Sequence, residues 1–350
     1  MGKKVLMKGN EALAEAAIRS GCRFYYGYPI TPQTELAEYM AKNLPLAGGT
    51  FLQAESEIAA ISMVYGTSAT GRRVMTSSSS PGISLKQEGI SYLAGSNLPA
   101  VIVNVQRGGP GLGGIQPSQS DYWQATKGGG HGDYHLLVLA PSTVQEMADL
   151  TMLAFDLADK YRVQAMILAD GTVGQMMEPV ELPEAKDPAF EKPWALRGKG
   201  KGKSKFITSL SLSPEELEQW NFNNFDKYHE IERCEQRAEE FMMDDAEVCV
   251  VAFGISARVS RNAVLAARAR GIKAGLIRPI TLYPFPKDVL RKAAGHVDRF
   301  ISVELNMGQM IDDIRLSIEC SRPVSLCNRT GGVIVTPEEV LAAIEGGNVK

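Results

Sequence analysis

The segment Tyr25-Tyr-Gly-Tyr-Pro-Ile-Thr-Pro32, followed by a helical window and then by Gln53-Ala-Glu-Ser-Glu-Ile-Ala-Ala60, decides how the chain is read. Phe24, Tyr25 and Tyr26 form an aromatic, strand-like run, and Pro29 and Pro32 each bias the residue before them away from helix, so the chain turns here. Thr31 stands where a helix N-cap would, with Pro32 at the first helical position and Glu35 in the first turn. Farther on, Ile58, Ala59, Ile61, Met63 and Val64 share a helical window headed by Ser56 and Glu57. Two loops that each open a helix thus carry a hydroxyl and a carboxylate at helix N-termini, where α/β folds usually bind ligands.

Outward from this stretch, Asn10 to Ser20 reads as a helix stopped by Gly21. Residues 73–77 read as a strand, and Pro81-Gly82 opens a helix to about Ala94. The β-branched run at 100–105 has the character of a strand buried on both faces. Further buried strands are predicted at 136–139 and 165–169, separated by a helix from Val144 to Tyr161. Strands alternating with helices imply an α/β fold with a mostly parallel sheet. From Pro179 the character changes, with Pro183, Pro188 and Pro193 leading into Arg197-Gly-Lys-Gly-Lys-Gly-Lys-Ser-Lys205. That basic run could be offered as a nucleotide contact, but no aromatics are interleaved, and a solvated loop is the reading adopted. A polar helix capped by Ser213 is predicted from Pro214 to about Met243. A second, smaller α/β section follows, with strands near 247–253, 275–277 and 300–304 and helices at 258–270, after Phe285 and near 310–320. The expected organisation is 1–180, a linker or excursion at 181–244, and 245–350.

A chain of 350 residues with 44% hydrophobic content can bury a large core. Its net charge of −3 gives no electrostatic reason to expect nucleic acid or an anionic membrane. No apolar run approaches the roughly 18 residues of a membrane span, and Met-Gly-Lys-Lys-Val lacks a signal-peptide pattern, so a cytoplasmic protein is expected. The five cysteines are scattered, without a Cys-x-x-Cys pair, so neither a disulfide framework nor an iron-sulfur site is indicated.

Tyr28-Pro-Ile-Thr-Pro32, Glu55-Ser-Glu-Ile-Ala-Ala60, Thr76-Ser-Ser-Ser-Ser-Pro-Gly-Ile-Ser84, Val105-Gln-Arg-Gly-Gly-Pro110 and Gly130-His-Gly-Asp133 resemble the α chain of the thiamine-diphosphate-dependent 2-oxoacid:ferredoxin oxidoreductases. The resemblance covers nearly the whole chain. It looks most like the branched-chain (2-oxoisovalerate, or 3-methyl-2-oxobutanoate) type, because Pro193-Trp-Ala-Leu196 and Thr208-Ser-Leu-Ser-Leu-Ser-Pro-Glu-Glu-Leu217 are similar to that type's interdomain segment. It implies a pyrimidine-type thiamine-diphosphate-binding domain over 1–180 and a transketolase C-terminal-like domain over 245–350.

The cofactor's aminopyrimidine must reach its imino form to take the proton from the thiazolium carbon, and a partly desolvated carboxylic acid against the opposite ring nitrogen promotes that tautomer. Glu57 matches the family position for this acid, with Glu55 its nearest competitor; the plain alternative is that both only complement the helix dipole. Thr31 matches a threonine that faces cofactor and substrate, or serves only as an N-cap, and Tyr28, Pro29 and Ile30 would wall the pyrimidine or simply make a tight turn. Arg107, at a strand's C-terminal end, would take the carboxylate of a 2-oxoacid or a coenzyme A phosphate, or make a structural salt bridge. Gly108-Gly-Pro-Gly-Leu-Gly-Gly114 has no phosphate-loop ending and signals only flexibility or close backbone approach. His131 and His135 lie in a glycine-rich stretch that argues for a loop rather than a metal pair. Family members often have glycine where this chain has Ser80, which leaves a backbone contact there open.

A magnesium-diphosphate anchor needs Gly-Asp-Gly and a later asparagine, and Asp170-Gly-Thr172 is the nearest match here, so no metal site is expected on this chain. The resemblance implies that Mg²⁺ and the diphosphate belong to a separate β subunit, that a γ subunit and a ferredoxin-like subunit carrying the iron-sulfur clusters complete the enzyme, and that ferredoxin, coenzyme A and a branched-chain 2-oxoacid are its reaction partners. The same enzyme acting on 2-oxoglutarate or an aryl pyruvate is one rival. A non-catalytic interaction subunit that kept the fold is the other. Either way, an unpartnered chain is expected to expose an apolar interface.

Overall fold

The computed structural model describes residues 4–186, 188, 190–198 and 205–346. Residues 199–204, the middle of the lysine-glycine run read as a solvated loop, lie outside the described residues. The chain opens with β1 (Lys4–Lys8) and α1 (Gly9–Arg19), and the stop at Gly21 is a left-handed glycine, φ 76°. Next come β2 (Phe24–Gly27), α2 (Thr34–Asn43), β3 (Thr50–Gln53), α3 (Glu57–Ala69), β4 (Val74–Ser78), α4 (Ser80–Gly95) and β5 (Ala100–Gln106). They are followed by α5 (Tyr122–Thr126), β6 (Leu137–Leu139), α6 (Val144–Tyr161), β7 (Gln164–Asp170), α7 (Gly171–Gln175) and β8 (Met177–Glu181). The remainder comprises α8 (Pro214–Cys234), β9 (Ala238–Phe241), β10 (Val248–Ala252), α9 (Gly254–Ala269), β11 (Ala274–Pro279), β12 (Thr281–Tyr283), α10 (Lys287–Ala294), β13 (Arg299–Glu304), α11 (Met310–Ser317), β14 (Val324–Asn328) and α12 (Pro337–Ile344).

The principal sheet has seven strands in the order β12-β6-β7-β5-β4-β2-β3, parallel except where β12 meets β6. Every residue of β5 and β7 is buried, as apolar strands covered by helices on both faces must be. A second sheet of five strands runs β14-β13-β10-β11-β9, parallel except for β9. A short antiparallel pair, β1 with β8, closes over α1 and α6. No helix among the described residues is long and apolar enough to cross a membrane.

One expectation needs correction. The polar helix stops at Cys234, not near Met243, because Glu235 turns inward to accept hydrogen bonds from the Tyr161 hydroxyl (2.7 Å), Lys160 (3.0 Å) and Arg237 (2.8 Å). The freed residues 238–241 then pair with β11. In addition, Thr281–Tyr283, deep in the second section, leaves its own sheet and pairs with β6. The described part of the proline-rich excursion lies against the first sheet's helices: the Leu196 amide donates to Ala69 O (2.9 Å), Lys192 pairs with Asp159, and Arg162 stacks on Trp194.

Polar clamps lock the two sheets together. Asp170 accepts from the amides of Thr172 and Val173 through one oxygen and from the Ile255 amide, 2.8 Å, through the other. A side chain at Gly254 (φ 55°) would begin 2.5 Å from that second oxygen, so this position requires glycine. Gln119 donates to Phe253 O (2.8 Å) and accepts from Ser256 Oγ (2.9 Å) and the Leu305 amide (3.1 Å). Tyr122 donates to Asp313 across the same seam, at 2.5 Å.

Candidate functional site

Because β4, β2, β3 and β5 are neighbouring parallel strands, the loops that leave their C-terminal ends converge on one edge of the principal sheet. Those loops carry Tyr28 to Thr31, Ala54 to Glu57, Ser79-Ser80 and Arg107. Beneath them, the Tyr25 ring stacks on Phe51 with centroids 5.4 Å apart, and its hydroxyl lies 2.6 Å from Ser77 Oγ, which donates to Gln33 Oε1 at 2.6 Å. Thr76 Oγ1 donates to Tyr26 O (2.6 Å). Tyr25, Tyr26, Gln33, Thr76 and Ser77 thus form a hydrogen-bonded floor, the support a positioned ligand needs.

Glu57 is the first residue of α3, and Ser56 caps that helix by accepting from the Ala59 amide (3.2 Å). Glu57 is only 6% exposed yet accepts no hydrogen bond from any described residue. Its carboxylate lies over Gly82 of α4, where an added Cβ would come 2.6 Å from Glu57 Oε1 and 2.1 Å from Ser78 Oγ. The hydroxyls of Ser78 and Ser79 are also buried without partners. A nearly enclosed carboxyl and two buried hydroxyls, none hydrogen-bonded to a described residue, mark a place where a ligand's polar atoms belong. Glu55, the competing carboxylate, is exposed.

Thr31 is not an N-cap. Helix α2 begins three residues later, at Thr34, because Asn10 on α1 donates to Pro32 O (2.9 Å) and to Glu35 Oε2 (2.9 Å) and holds the intervening residues in a turn. The Thr31 hydroxyl has no partner among the described residues, and Tyr28, Pro29 and Thr31 are exposed while Ile30 is half-buried. Capping therefore does not account for this threonine.

Arg107 is 8% exposed and makes no ion pair with any described residue. Its guanidinium donates to Thr31 O (3.1 Å) and Leu112 O (3.2 Å), and its Nε is buried without an acceptor. Among the described residues Arg107 thus makes no structural salt bridge, and a nearly buried cation held only by carbonyls suits an incoming anion. Ser80 supports this arginine: its hydroxyl donates to Asp121 Oδ2 (2.6 Å) and accepts from the Arg107 amide (3.1 Å), while its own amide donates to Asn104 Oδ1 (3.1 Å). Burial pushes the Asp121 carboxyl above its usual range. The structure brings Arg107 and Thr31 into contact; Glu57 makes no hydrogen bond with either.

Gln33, Lys86, Asn104 and Asp121 belong to this edge and went unread in the sequence. Lys86 alone had a signal, as a charged residue one turn after Gly82 on a helix face that it shares with Ile83 and Ile90. Gly108 to Gly114 folds on itself: the Gly114 amide donates to Gly108 O (2.9 Å), and Leu112, 84% exposed, stands at the tip. His131 packs edge-on against Tyr92 and His135 stacks on Tyr283, so the two rings face different elements. Both Asp170 oxygens are taken by backbone amides, and among the described residues no group of three His, Cys, Asp or Glu side chains could hold a metal. Helices α3 and α4 are apolar on their outer as well as their inner faces. Ile58, Met63, Leu85 and Tyr92 are exposed there, which is unusual for a helix pair that meets only water.

Residues 15–243 match the family model described as pyruvate flavodoxin/ferredoxin oxidoreductase, thiamine diphosphate-binding, and residues 246–340 match pyruvate:ferredoxin oxidoreductase core domain II. The chain is 54% identical to ketoisovalerate oxidoreductase subunit VorB of Methanothermobacter thermautotrophicus, over 97% of this chain and 96% of that one. It is 37% identical to 2-oxoglutarate synthase subunit KorA of Methanocaldococcus jannaschii, over 98% and 100% respectively. Among solved structures it resembles 2-oxoglutarate:ferredoxin oxidoreductase from Magnetococcus marinus, determined with 2-oxoglutarate, coenzyme A and succinyl-CoA bound (TM-score 0.88, 28% identity). The match covers 99% of this chain but 65% of that one, so the chain spans about two thirds of that relative's length. A split-gene transketolase shares the fold at TM-score 0.60 and 14% identity.

Proposed function

The chain belongs to the 2-oxoacid:ferredoxin oxidoreductase family, and from that premise we propose that it is the α subunit of a branched-chain enzyme that converts 2-oxoisovalerate and coenzyme A to acyl-CoA and carbon dioxide, two electrons passing to ferredoxin. The relative at 54% identity carries the ketoisovalerate name, which supports the branched-chain substrate. The observation that carries the chemistry is Glu57, buried at a helix head, near the unpartnered Ser78 hydroxyl and without a hydrogen bond from any described residue.

The residues at this edge fit the pyrimidine half of thiamine diphosphate: Tyr28, Pro29 and Ile30 as wall, Glu57 as the acid, and the Thr31 hydroxyl free to face cofactor and substrate. Bound there, the cofactor supplies a nucleophilic carbon for the substrate's 2-carbonyl. Glu57 holds a proton at the pyrimidine ring nitrogen. Arg107 binds the substrate carboxylate and orients the carbonyl. The donor set does not fit the diphosphate end. In this reading a β subunit brings Mg²⁺ and the diphosphate contacts, its surface covers the apolar face of α3 and α4, and γ and ferredoxin-like subunits complete the electron path. Residues 1–180 are the pyrimidine-binding unit and 245–350 the transketolase C-terminal-like unit, with 181–244 between them.

The direct test is anaerobic viologen reduction by the complex that co-purifies with this chain, with coenzyme A and a panel of 2-oxoacids. Preference for 2-oxoisovalerate over 2-oxoglutarate and pyruvate is expected. Preference for another acid overturns the substrate, and no turnover by an intact, cluster-containing complex overturns the enzymatic reading. Gly82→Ala provides a steric check, because its Cβ can fit only if both Glu57 and Ser78 move. The helix propensity gained by alanine offsets only part of the overpacking, so the melting temperature falls by a few degrees, whereas turnover falls by about 100-fold from a displacement on the order of 1 Å.

A further inference from the structure

Lys86 is a lysine with no exposed surface, in the middle of α4. Its Nζ donates to Thr76 Oγ1 (2.7 Å) and Ser77 O (3.0 Å), directly under the edge where Glu57 stands. Gly82 and Lys86 are one turn apart on the same face of α4, and Glu57 Oε1 lies over Gly82. No carboxylate among the described residues forms an ion pair with this ammonium. Burial lowers its pKa to about 7, and Glu57 is the charge that acts in the opposite direction. The surrounding elements bring little else: β4 has no charged residue, and β2 offers only Tyr25 and Tyr26. On α4, Glu88 faces solvent and accepts from Tyr92, on α3 Tyr65 bonds to Ser96, and Glu55 is exposed. The Arg107 guanidinium is committed to Thr31 O and Leu112 O.

We propose that Lys86 is a positioning residue for Glu57: its ammonium, anchored on Thr76 and Ser77, stabilises the carboxylate that Glu57 becomes when it gives its proton to the pyrimidine ring nitrogen. The inference rests on the reading of Glu57 given above. Once Glu57 has given its proton away, a carboxylate stands in a nearly enclosed site without a hydrogen bond from any described residue, and a nearby cation stabilises such an anion. A direct ion pair would instead hold Glu57 ionised and leave it no proton to give. Lys86 acts through space from a fixed anchor and meets both demands.

The test titrates Glu57 itself by infrared difference spectroscopy on the assembled complex, using the protonated-carboxyl band that E57Q removes. In K86M that band persists to a pH about one to three units higher than in wild type, while K86R keeps the wild-type midpoint. K86Q separates charge from scaffolding, since it retains a donor for Thr76 and Ser77 without the charge. It is expected to shift like K86M, and it serves in its place if K86M does not assemble. A midpoint unchanged in the uncharged variant that assembles overturns the proposal. Should E57Q leave turnover intact, the catalytic reading of Glu57 fails while the titration still decides whether Lys86 governs its ionisation.

Discussion

Glu57→Gln lowers turnover of the assembled enzyme by about 10²- to 10⁴-fold, the range expected when a positioned acid-base group is removed. The side chain keeps its shape and can still hydrogen-bond to a ring nitrogen, but it has no proton to hold and release. Folding is not the cause of the loss: Glu57 accepts no hydrogen bond from the described residues, and the cap on α3 is Ser56, which the substitution leaves in place. Viologen reduction with saturating 2-oxoisovalerate, compared with thermal denaturation of the same preparation, separates the two. Glu55→Gln serves as the internal control, because that side chain is exposed and its loss leaves turnover unchanged. If instead E57Q turns over normally, the acid is elsewhere and the interaction-subunit reading returns.

Arg107→Met reduces kcat/KM for the 2-oxoacid by roughly 100-fold or more, because hydrogen bonds between charged groups contribute about 1.5–3 kcal/mol each and a guanidinium can make two in parallel. Most of the effect falls on the KM for the 2-oxoacid, and the KM for coenzyme A stays put. An increase confined to coenzyme A would mean that Arg107 holds a phosphate and not the substrate carboxylate. The stability of the variant argues in the opposite direction to its activity. A nearly buried cation without a carboxylate partner is costly, so replacing it with methionine is expected to hold or raise the melting temperature despite the loss of two carbonyl contacts. Arg107→Lys keeps charge without the planar fork and recovers only part of the activity.

Much of the edge was legible because its signals are local. Ser56 and Ser213 cap helices by bonds that span three residues, and the strand-turn-helix punctuation around Pro29 and Pro32 marks the right place. The cap reading of Thr31 shows the limit of that logic. Threonine before proline has every local attribute of a cap, yet Asn10, more than twenty residues upstream, holds Pro32 and Glu35 and delays the helix to Thr34. Ser80 was left open for a related reason, since its partners Asp121 and Arg107 lie 41 and 27 residues away.

By itself the sequence determined the alternation of buried strands and helices, the mostly parallel α/β class, the carboxylate at the head of α3 and the arginine at the end of β5, because periodicity, caps and apolar runs act over a few residues. Tertiary structure alone decided that Arg107 stands without a carboxylate among the described residues, that Lys86 is buried against Thr76 and Ser77, that β12 crosses from the second section into the first sheet, and that Asp170 clamps the two sections. The physical reason is the same in each case: whether a charge is paired, and whether an edge is free, depends on which distant segment packs against it.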